Sequence, residues 1–425
     1  MPTRRGFLAS GLVLAAGHAL CQPAAQGGRR VLVLGGGWGG LAAAARLRRA
    51  APELDLTLVE RDAAFRCLPL SNAWLVGRAP EAMPRQDYAL AAKAFGYRYL
   101  QAEVTAIDRE RRRLHTARGV LDYDWLVIAA GIRYDYAPWL GDEARAIAAV
   151  RRLYPAGYAT GELDALQEKL AGFKGGDLLM TVPPGPVRCP PAPYERAVMI
   201  AWWLKTQRIP GRLTLVDAGG GMQRFNRVFA ERYKDQVRHL THATVKSLDP
   251  FARTLRTEFE ELKFDDAIII PPQGAAEIVR QAGLLETDAA GRPGHWAAFD
   301  PLHLHAPGDE RVFLVGDLLG RASPLFGAYP KSAHIAVRLG QIAADGIVAR
   351  ARGVAPAPTF PESVCFVHID VEPPEMLRID TAYRRRGDGL IAQTLRQHED
   401  PQPRGEDRAW LRGLAGEVLG TEAGD

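Results

Sequence analysis

The stretch Arg30-Val31-Leu32-Val33-Leu34-Gly35-Gly36-Gly37-Trp38-Gly39-Gly40-Leu41 decides the fold. Its apolar half predicts a buried strand, and Gly35, Gly37 and Gly40 supply a G-x-G-x-x-G turn. An alanine-rich helix is expected from Leu41 to Arg49. A second strand follows, Asp55-Leu56-Thr57-Leu58-Val59-Glu60, ending in an acid twenty residues after the last glycine. Glycines alone are a weak signal. Strand, glycines, helix, strand and terminal acid in this order describe a dinucleotide-binding unit. The glycines let the backbone approach a pyrophosphate, and the helix N-terminus faces its charge. Glu60 is placed to hydrogen-bond the adenosine ribose. A carboxylate there disfavours a 2′-phosphate, so FAD or NAD is preferred to NADP.

Two later segments extend the pattern. Asp124-Trp125-Leu126-Val127-Ile128-Ala129-Ala130-Gly131 reads as a buried strand closing on small residues. Arg311-Val312-Phe313-Leu314-Val315-Gly316-Asp317 reads as another, ending where a carboxylate meets a ribityl chain. In this order the three segments look like a two-dinucleotide-domain flavoprotein, with FAD at the first fingerprint. Ala130, Gly131, Gly316 and Asp317 join Gly35, Gly37, Gly40 and Glu60 as cofactor-binding candidates.

The expected class is α/β: two Rossmann-like domains in the glutathione-reductase manner, plus a small C-terminal domain. Residues 28–150 and 281–352 form the FAD-binding domain. Residues 151–280 form an inserted domain, with strands at 178–182, 213–217 and 267–271. After the proline-rich linker Pro356 to Pro361, residues 353–425 carry a strand-like Val364 to Ile369 and a short helix near Trp410 to Leu419. The rest of that tail, rich in arginines and acids, reads as solvated surface.

The inserted domain departs from a nucleotide-binding one at its first turn, Val182-Pro183-Pro184-Gly185-Pro186-Val187-Arg188-Cys189-Pro190-Pro191-Ala192-Pro193-Tyr194-Glu195-Arg196-Ala197. Prolines remove the N–H donors that a pyrophosphate needs. The loop suits a rigidly held thiol, or is simply a stiff turn with an incidental cysteine. A second candidate, Asp217-Ala218-Gly219-Gly220-Gly221-Met222, lacks the spacing. Nicotinamide binding is argued against, so the electrons come from another donor.

At 425 residues the chain is too long for one core. A formal charge of +5 with no long basic run excludes nucleic acid as the expected partner. Cys21, Cys67, Cys189 and Cys365 form no C-x-x-C or C-x-x-C-H, and the histidines no H-E-x-x-H. No metal centre is expected, and any haem must sit on a partner chain. Thr3-Arg4-Arg5-Gly6-Phe7-Leu8 and the apolar run to Leu20 read as a twin-arginine export signal, residues 1–27, too short to span a bilayer. The expected location is periplasmic, with no membrane span in the mature chain.

With these residues in view, Arg188 to Ala197 closely resembles the cysteine loop of the flavoprotein subunit of flavocytochrome c sulfide dehydrogenase. Ile269-Ile270-Pro271-Pro272-Gln273, Pro330-Lys331-Ser332 and Cys365 also look like that family. The resemblance implies oxidation of sulfide at a Cys189–Cys365 redox disulfide beside FAD, with electrons passed singly to a c-type cytochrome subunit. It makes Glu195 a candidate proton acceptor, beside its alternative role of stabilising a helix N-terminus. It makes Lys331 a candidate holder of charge on the reduced flavin. Family members attach FAD covalently to a cysteine before a Leu-Ser-Asn sequence. Here Cys67 stands one place earlier relative to Leu70-Ser71-Asn72, so attachment rests on a local bulge restoring its reach. Two other readings stay open: a sulfide:quinone oxidoreductase, and a catalytically silent flavin-binding subunit that scaffolds a cytochrome.

Overall fold

The computed structural model describes residues 29–79, 85–159 and 161–420. The export signal and Cys21 lie outside them. The strand Arg30–Leu34 is buried on both faces and sits inside a six-stranded sheet. It pairs in parallel with Asp55–Glu60 on one side and Trp125–Ile128 on the other. Arg98–Gln101 extends one flank, and Asp309–Leu314 with the antiparallel His305–Ala306 extends the other. Such apolar runs become interior strands because helices cover both faces.

The helix after the glycines runs Trp38–Ala50, three residues earlier than expected. Gly39 and Gly40 therefore lie inside its first turn, where close packing requires them. A Cβ on Gly40 would stand 1.8 Å from the Gly35 carbonyl oxygen. The helix Ala333–Ala351 packs across this one, and a Cβ on Gly340 would stand 2.2 Å from the Gly39 carbonyl oxygen. A side chain at Gly40 would push the helix off the glycine turn, and one at Gly340 would push the two helices apart.

The second sheet has four parallel strands in the order Val237–Leu240, Gly211–Asp217, Gly176–Val182, Asp266–Ile268. It is the expected Rossmann-like unit. Tyr136, Trp139, Leu140 and Val150, which precede the expected boundary at residue 151, share one apolar cluster with Leu179, Val216 and Ile269 of the second sheet. The antiparallel pair Ile132–Tyr134 and Gln273–Ala275 marks the crossing between the two units.

The tail is not a solvated surface. Glu362–Val371, Pro374–Arg385 and Ile391–Asp400 form a three-stranded antiparallel sheet. Val367, Ile369, Val371 and Leu377 pack into the core of the inserted unit, whereas Tyr383 and Ile391 join the core of the FAD-binding unit. The helix Glu406–Leu419 buries Leu411, Leu414, Val418 and Leu419 in that same second core. Arg338 grips Glu417 there with two hydrogen bonds. Among the described residues no helix is long and apolar enough to cross a membrane.

Candidate functional site

The nucleotide cradle forms at the C-terminal ends of the first sheet. Gly37 is the N-cap of Trp38–Ala50, with no side-chain cap and no acid in the first turn. The first N–H groups of that helix are thus left for an anion. Glu60 is held by the backbone: Oε2 accepts from the Gly36 N–H at 2.7 Å and Oε1 from the Asp62 N–H at 3.0 Å. Gly131 and Gly316 both take positive φ, and Ala130 precedes the first of them. A glycine cradle, an uncapped helix end and a fixed carboxylate together fit FAD.

The proline loop comes back over this cradle. Its helix runs Ala192–Thr206, starting three residues before Glu195 because Pro193 suits a first turn. Arg188 lies against the FAD-binding unit. Its Nε donates to Asp317 Oδ2 at 2.6 Å, an Nη to the Tyr158 carbonyl at 2.9 Å, and its N–H to Gln273 Oε1 at 2.7 Å. The Cys189 N–H donates to the Lys331 carbonyl at 2.8 Å. Cys189 itself has φ of +50°, a left-handed conformation rare for a residue with a Cβ. The loop is therefore bolted to the flavin unit on both sides of its thiol.

Cys365 arrives from the strand Glu362–Val371, which packs against Ala192–Thr206. Both cysteines pack on the same apolar cluster, and each keeps some contact with solvent although densely surrounded. Both are free thiols, as is Cys67. Burial, then the neighbouring Cys365 sulfur and Glu195, hold the Cys189 thiol well above its ordinary value. Burial and Glu195 push the Cys365 thiol up to about 12. Asp317, paired with the neighbouring Arg188, also raises the Cys189 thiol. Two residues distant in sequence thus feel one another and one carboxylate.

That carboxylate is tightly held. Glu195 Oε2 accepts from Asn72 Nδ2 at 2.6 Å, and Oε1 from the His368 N–H at 2.8 Å. Asn72 Oδ1 in turn accepts from Arg196 Nε at 3.0 Å. Arg196 is almost fully buried, donates also to the Ala156 carbonyl and lies over the Tyr158 ring. His368 Nε2 pairs with buried Asp407 Oδ2 at 3.1 Å. Burial pulls His368 down, but Asp407 and Glu195 outweigh it and the net shift is upward. Sequence reasoning missed Asn72, Arg188, Arg196, His368 and Asp407. Only Arg188, adjacent to the cysteine, carried a local signal.

Lys331 is buried, with Nζ donating to the Asp317 carbonyl at 2.8 Å and the Leu319 carbonyl at 2.7 Å. It also sits 3.6 Å from the Trp296 ring centroid. Burial lowers it to about 8, against the pull of Asp317 and Glu286. Its ammonium fastens the turn that presents Asp317. Cys67 is only 1% exposed, within the apolar cluster that contains Trp38, Phe65 and Tyr88, and burial pushes its thiol up to about 12. Leu70 takes φ of +63°, so the chain does kink here, yet the Cys67 sulfur remains in the core.

The acid of the inserted unit that would meet an adenosine ribose is engaged from within. Asp217, where a ribose-binding acid would end the second strand, is 1% exposed. It accepts from Tyr194 Oη at 2.9 Å, His239 Nε2 at 2.9 Å and the Gly219 N–H at 2.7 Å. The proline loop supplies Tyr194, so the loop that lacks phosphate donors also occupies the ribose acid.

Comparison with known proteins agrees with this architecture. Residues 163–271 match the family described as sulfide dehydrogenase (flavocytochrome c) flavoprotein chain, central. Residues 29–160 match the pyridine nucleotide-disulphide oxidoreductase family. The mitochondrial sulfide:quinone oxidoreductase of Mus musculus is 25% identical over 311 residues, 68% of this chain and 65% of that protein. A type II NADH:quinone oxidoreductase of Staphylococcus haemolyticus is 33% identical over 113 residues, 25% of this chain and 27% of that protein. The chain's matches thus span less than two thirds of either relative. Among solved structures, the sulfide:quinone oxidoreductase of Aquifex aeolicus superposes with a TM-score of 0.73 at 19% identity, covering 93% of each chain. The NAD-dependent persulfide reductase of A. fulgidus gives 0.61 at 16% identity, covering 92% of this chain and 77% of that one. The fold is that of the FAD-dependent disulfide oxidoreductases.

Proposed function

We propose that the chain oxidises sulfide at a Cys189–Cys365 disulfide beside FAD, after export to the periplasm, and passes the electrons to a c-type cytochrome. The meeting of Cys189, Cys365 and Glu195 at the edge of the flavin cradle carries this reading. FAD, held by the glycine turn, Glu60 and Asp317, would accept two electrons and release them singly.

Hydrosulfide attacks one sulfur of the disulfide. A sulfur–sulfur bond forms to that cysteine, the bond between the cysteines breaks, and a persulfide and a thiolate result. Both thiols are held high, so the departing sulfur takes up a proton. Glu195 stands beside both sulfurs and carries that proton from the more acidic persulfide to the departing cysteine. A second hydrosulfide attacks the outer sulfur and carries it off as HSS⁻, which returns the first cysteine as a thiolate; the disulfide then re-forms as one proton and two electrons leave the pair. The net change is two hydrosulfides to HSS⁻, a proton and two electrons. Arg188 keeps Cys189 over the cradle, and Asn72 and the His368 N–H keep Glu195 in place.

A quinone acceptor is the second reading, favoured by the names of the mouse and Aquifex relatives. The cytochrome reading draws on the cysteine loop and on the match of residues 163–271. It is also supported by the C-terminal helix, whose apolar side chains lie against the protein rather than facing outward. Anaerobic titration of the purified holoprotein with sulfide tests the chemistry: flavin bleaching is expected, and an unbleached flavin overturns it. Turnover with soluble cytochrome c, set against a short-chain quinone, decides the acceptor.

A further inference from the structure

A second cluster lies far along the chain from these sulfurs, in Asp300-Pro301-Leu302-His303-Leu304-His305. It matches neither H-E-x-x-H nor C-x-x-C, and no metal centre is expected from the sequence. The structure gathers three ligand groups nonetheless: one atom each from Asp300, His303 and His305 lies within 4.8 Å of the others. The backbone explains how. Asp300 Oδ1 accepts from the Leu302 and His303 N–H groups at 2.8 and 2.9 Å, closing a turn and leaving Oδ2 unused by it. Leu304 takes φ of +64° and buries its side chain, which turns both flanking histidines outward. Their rings stack with centroids 5.9 Å apart and planes 8° from parallel.

The tautomer of His305 is fixed as a metal ligand requires. Its Nδ1 lies 3.0 Å from the Ala306 carbonyl oxygen, which can only accept, so Nδ1 carries the proton. Nε2 then presents a lone pair, the arrangement in which an outer hydrogen bond orients a ligating imidazole. His303 Nδ1 stands 3.3 Å from Asp300 Oδ1, a separation that suits two ligands of one ion. Bonds of about 2.1 Å to a tetrahedral ion place ligand atoms roughly 3.4 Å apart, so side-chain movements of about 1 Å close the set. Two imidazoles and one carboxylate suit a borderline d-block ion over magnesium or calcium.

We propose that Asp300, His303 and His305 bind one divalent d-block cation of the zinc type, with solvent completing its coordination. The ion ties the 300–303 turn to His305–Ala306, the edge strand of the flavin-binding sheet. This site is independent of the sulfide reading.

Calorimetric titration of the tag-free, full-length holoprotein with Zn²⁺ at pH 7.5 tests it. One equivalent is expected to bind, with a melting temperature a few degrees higher. The H303Q/H305Q variant is expected to lose this equivalent, and the C189S/C365S variant to keep it. Zinc binding that survives in H303Q/H305Q, or vanishes in C189S/C365S, overturns the proposal, as does no binding by the unmodified chain. Should H303Q/H305Q fail to fold, the Co²⁺ difference spectrum of the unmodified holoprotein decides. Weak visible bands without sulfur-to-cobalt charge transfer support the site, and charge-transfer bands overturn it.

Discussion

Arg188 reaches from the proline loop of the inserted unit to Asp317 of the flavin-binding unit, Nε to Oδ2, at 2.6 Å. Both side chains are largely buried. This ion pair ties the loop to the cofactor cradle one residue before the proposed redox cysteine, since Arg188 and Cys189 are neighbours in the chain. Arg188→Met leaves the Asp317 carboxylate without its cation. Breaking such a pair costs about 3 kcal/mol. The variant is expected to melt lower, retain less FAD on gel filtration and lose most sulfide turnover. Arg188→Lys recovers only part, because one ammonium cannot span both Asp317 and the Tyr158 carbonyl.

Cys189→Ser and Cys365→Ser each remove one half of the proposed disulfide. Both are expected to keep flavin and fold while sulfide-dependent bleaching falls by about a thousandfold, a barrier change of roughly 4 kcal/mol. Stopped-flow absorbance at the flavin maximum measures this. Wild-type rates in either variant would remove the disulfide from the mechanism.

Gly37 and Gly40 separate what the fold needs from what the nucleotide needs. A methyl at Gly40 meets backbone at 1.8 Å, whereas one at Gly37 meets nothing of the protein within 4 Å. Gly40→Ala is expected to yield little folded protein. Gly37→Ala is expected to fold, at a cost of about 1 kcal/mol for the poorer N-cap, yet to bind FAD at least tenfold more weakly. Fluorescence titration of the flavin-stripped variants with FAD provides the comparison.

The His368–Asp407 pair predicts a pH dependence. Folding raises His368, so its stabilisation is whole below the ordinary imidazole value and disappears as pH climbs through the folded one. Burial works against Asp407, but its hydrogen bond from His368 wins and its folded value is lowered, so its share is lost only at strongly acid pH. Asp407→Asn is therefore expected to lower the melting temperature clearly at pH 5.5 and much less at pH 9. Equal losses at both values would contradict the assignment.

Cys67 bears on how the flavin is held. Its sulfur lies in the core and its thiol sits at about 12, raised by burial alone. FAD is accordingly expected to leave the polypeptide on acid precipitation, the yellow colour remaining in the supernatant. Cys67→Ala is expected to keep its flavin. A coloured pellet would show that the one-residue displacement is tolerated.

The strands and glycines of the flavin unit could be read from their order because each is a local pattern with its own periodicity. The tail could not. Pro374–Arg385 sets buried Met376, Leu377, Thr381 and Tyr383 among exposed arginines and half-buried acids, and these charges mask the pattern. Glu195 was legible as an acid near a thiol. Its holders, Asn72 and His368, lie 123 and 173 residues away and are visible only once the chain has folded. Asp300, His303 and His305 match neither H-E-x-x-H nor C-x-x-C, and a left-handed Leu304 stands between the two stacked rings.

The strand Glu362–Val371 delivers Cys365, donates the His368 N–H to Glu195 and precedes the helix that locks onto the flavin unit. One strand therefore carries both the second sulfur and the clasp on the acid beside it, so damage confined to this strand would strip thiol and clasp together while leaving the glycine turn untouched.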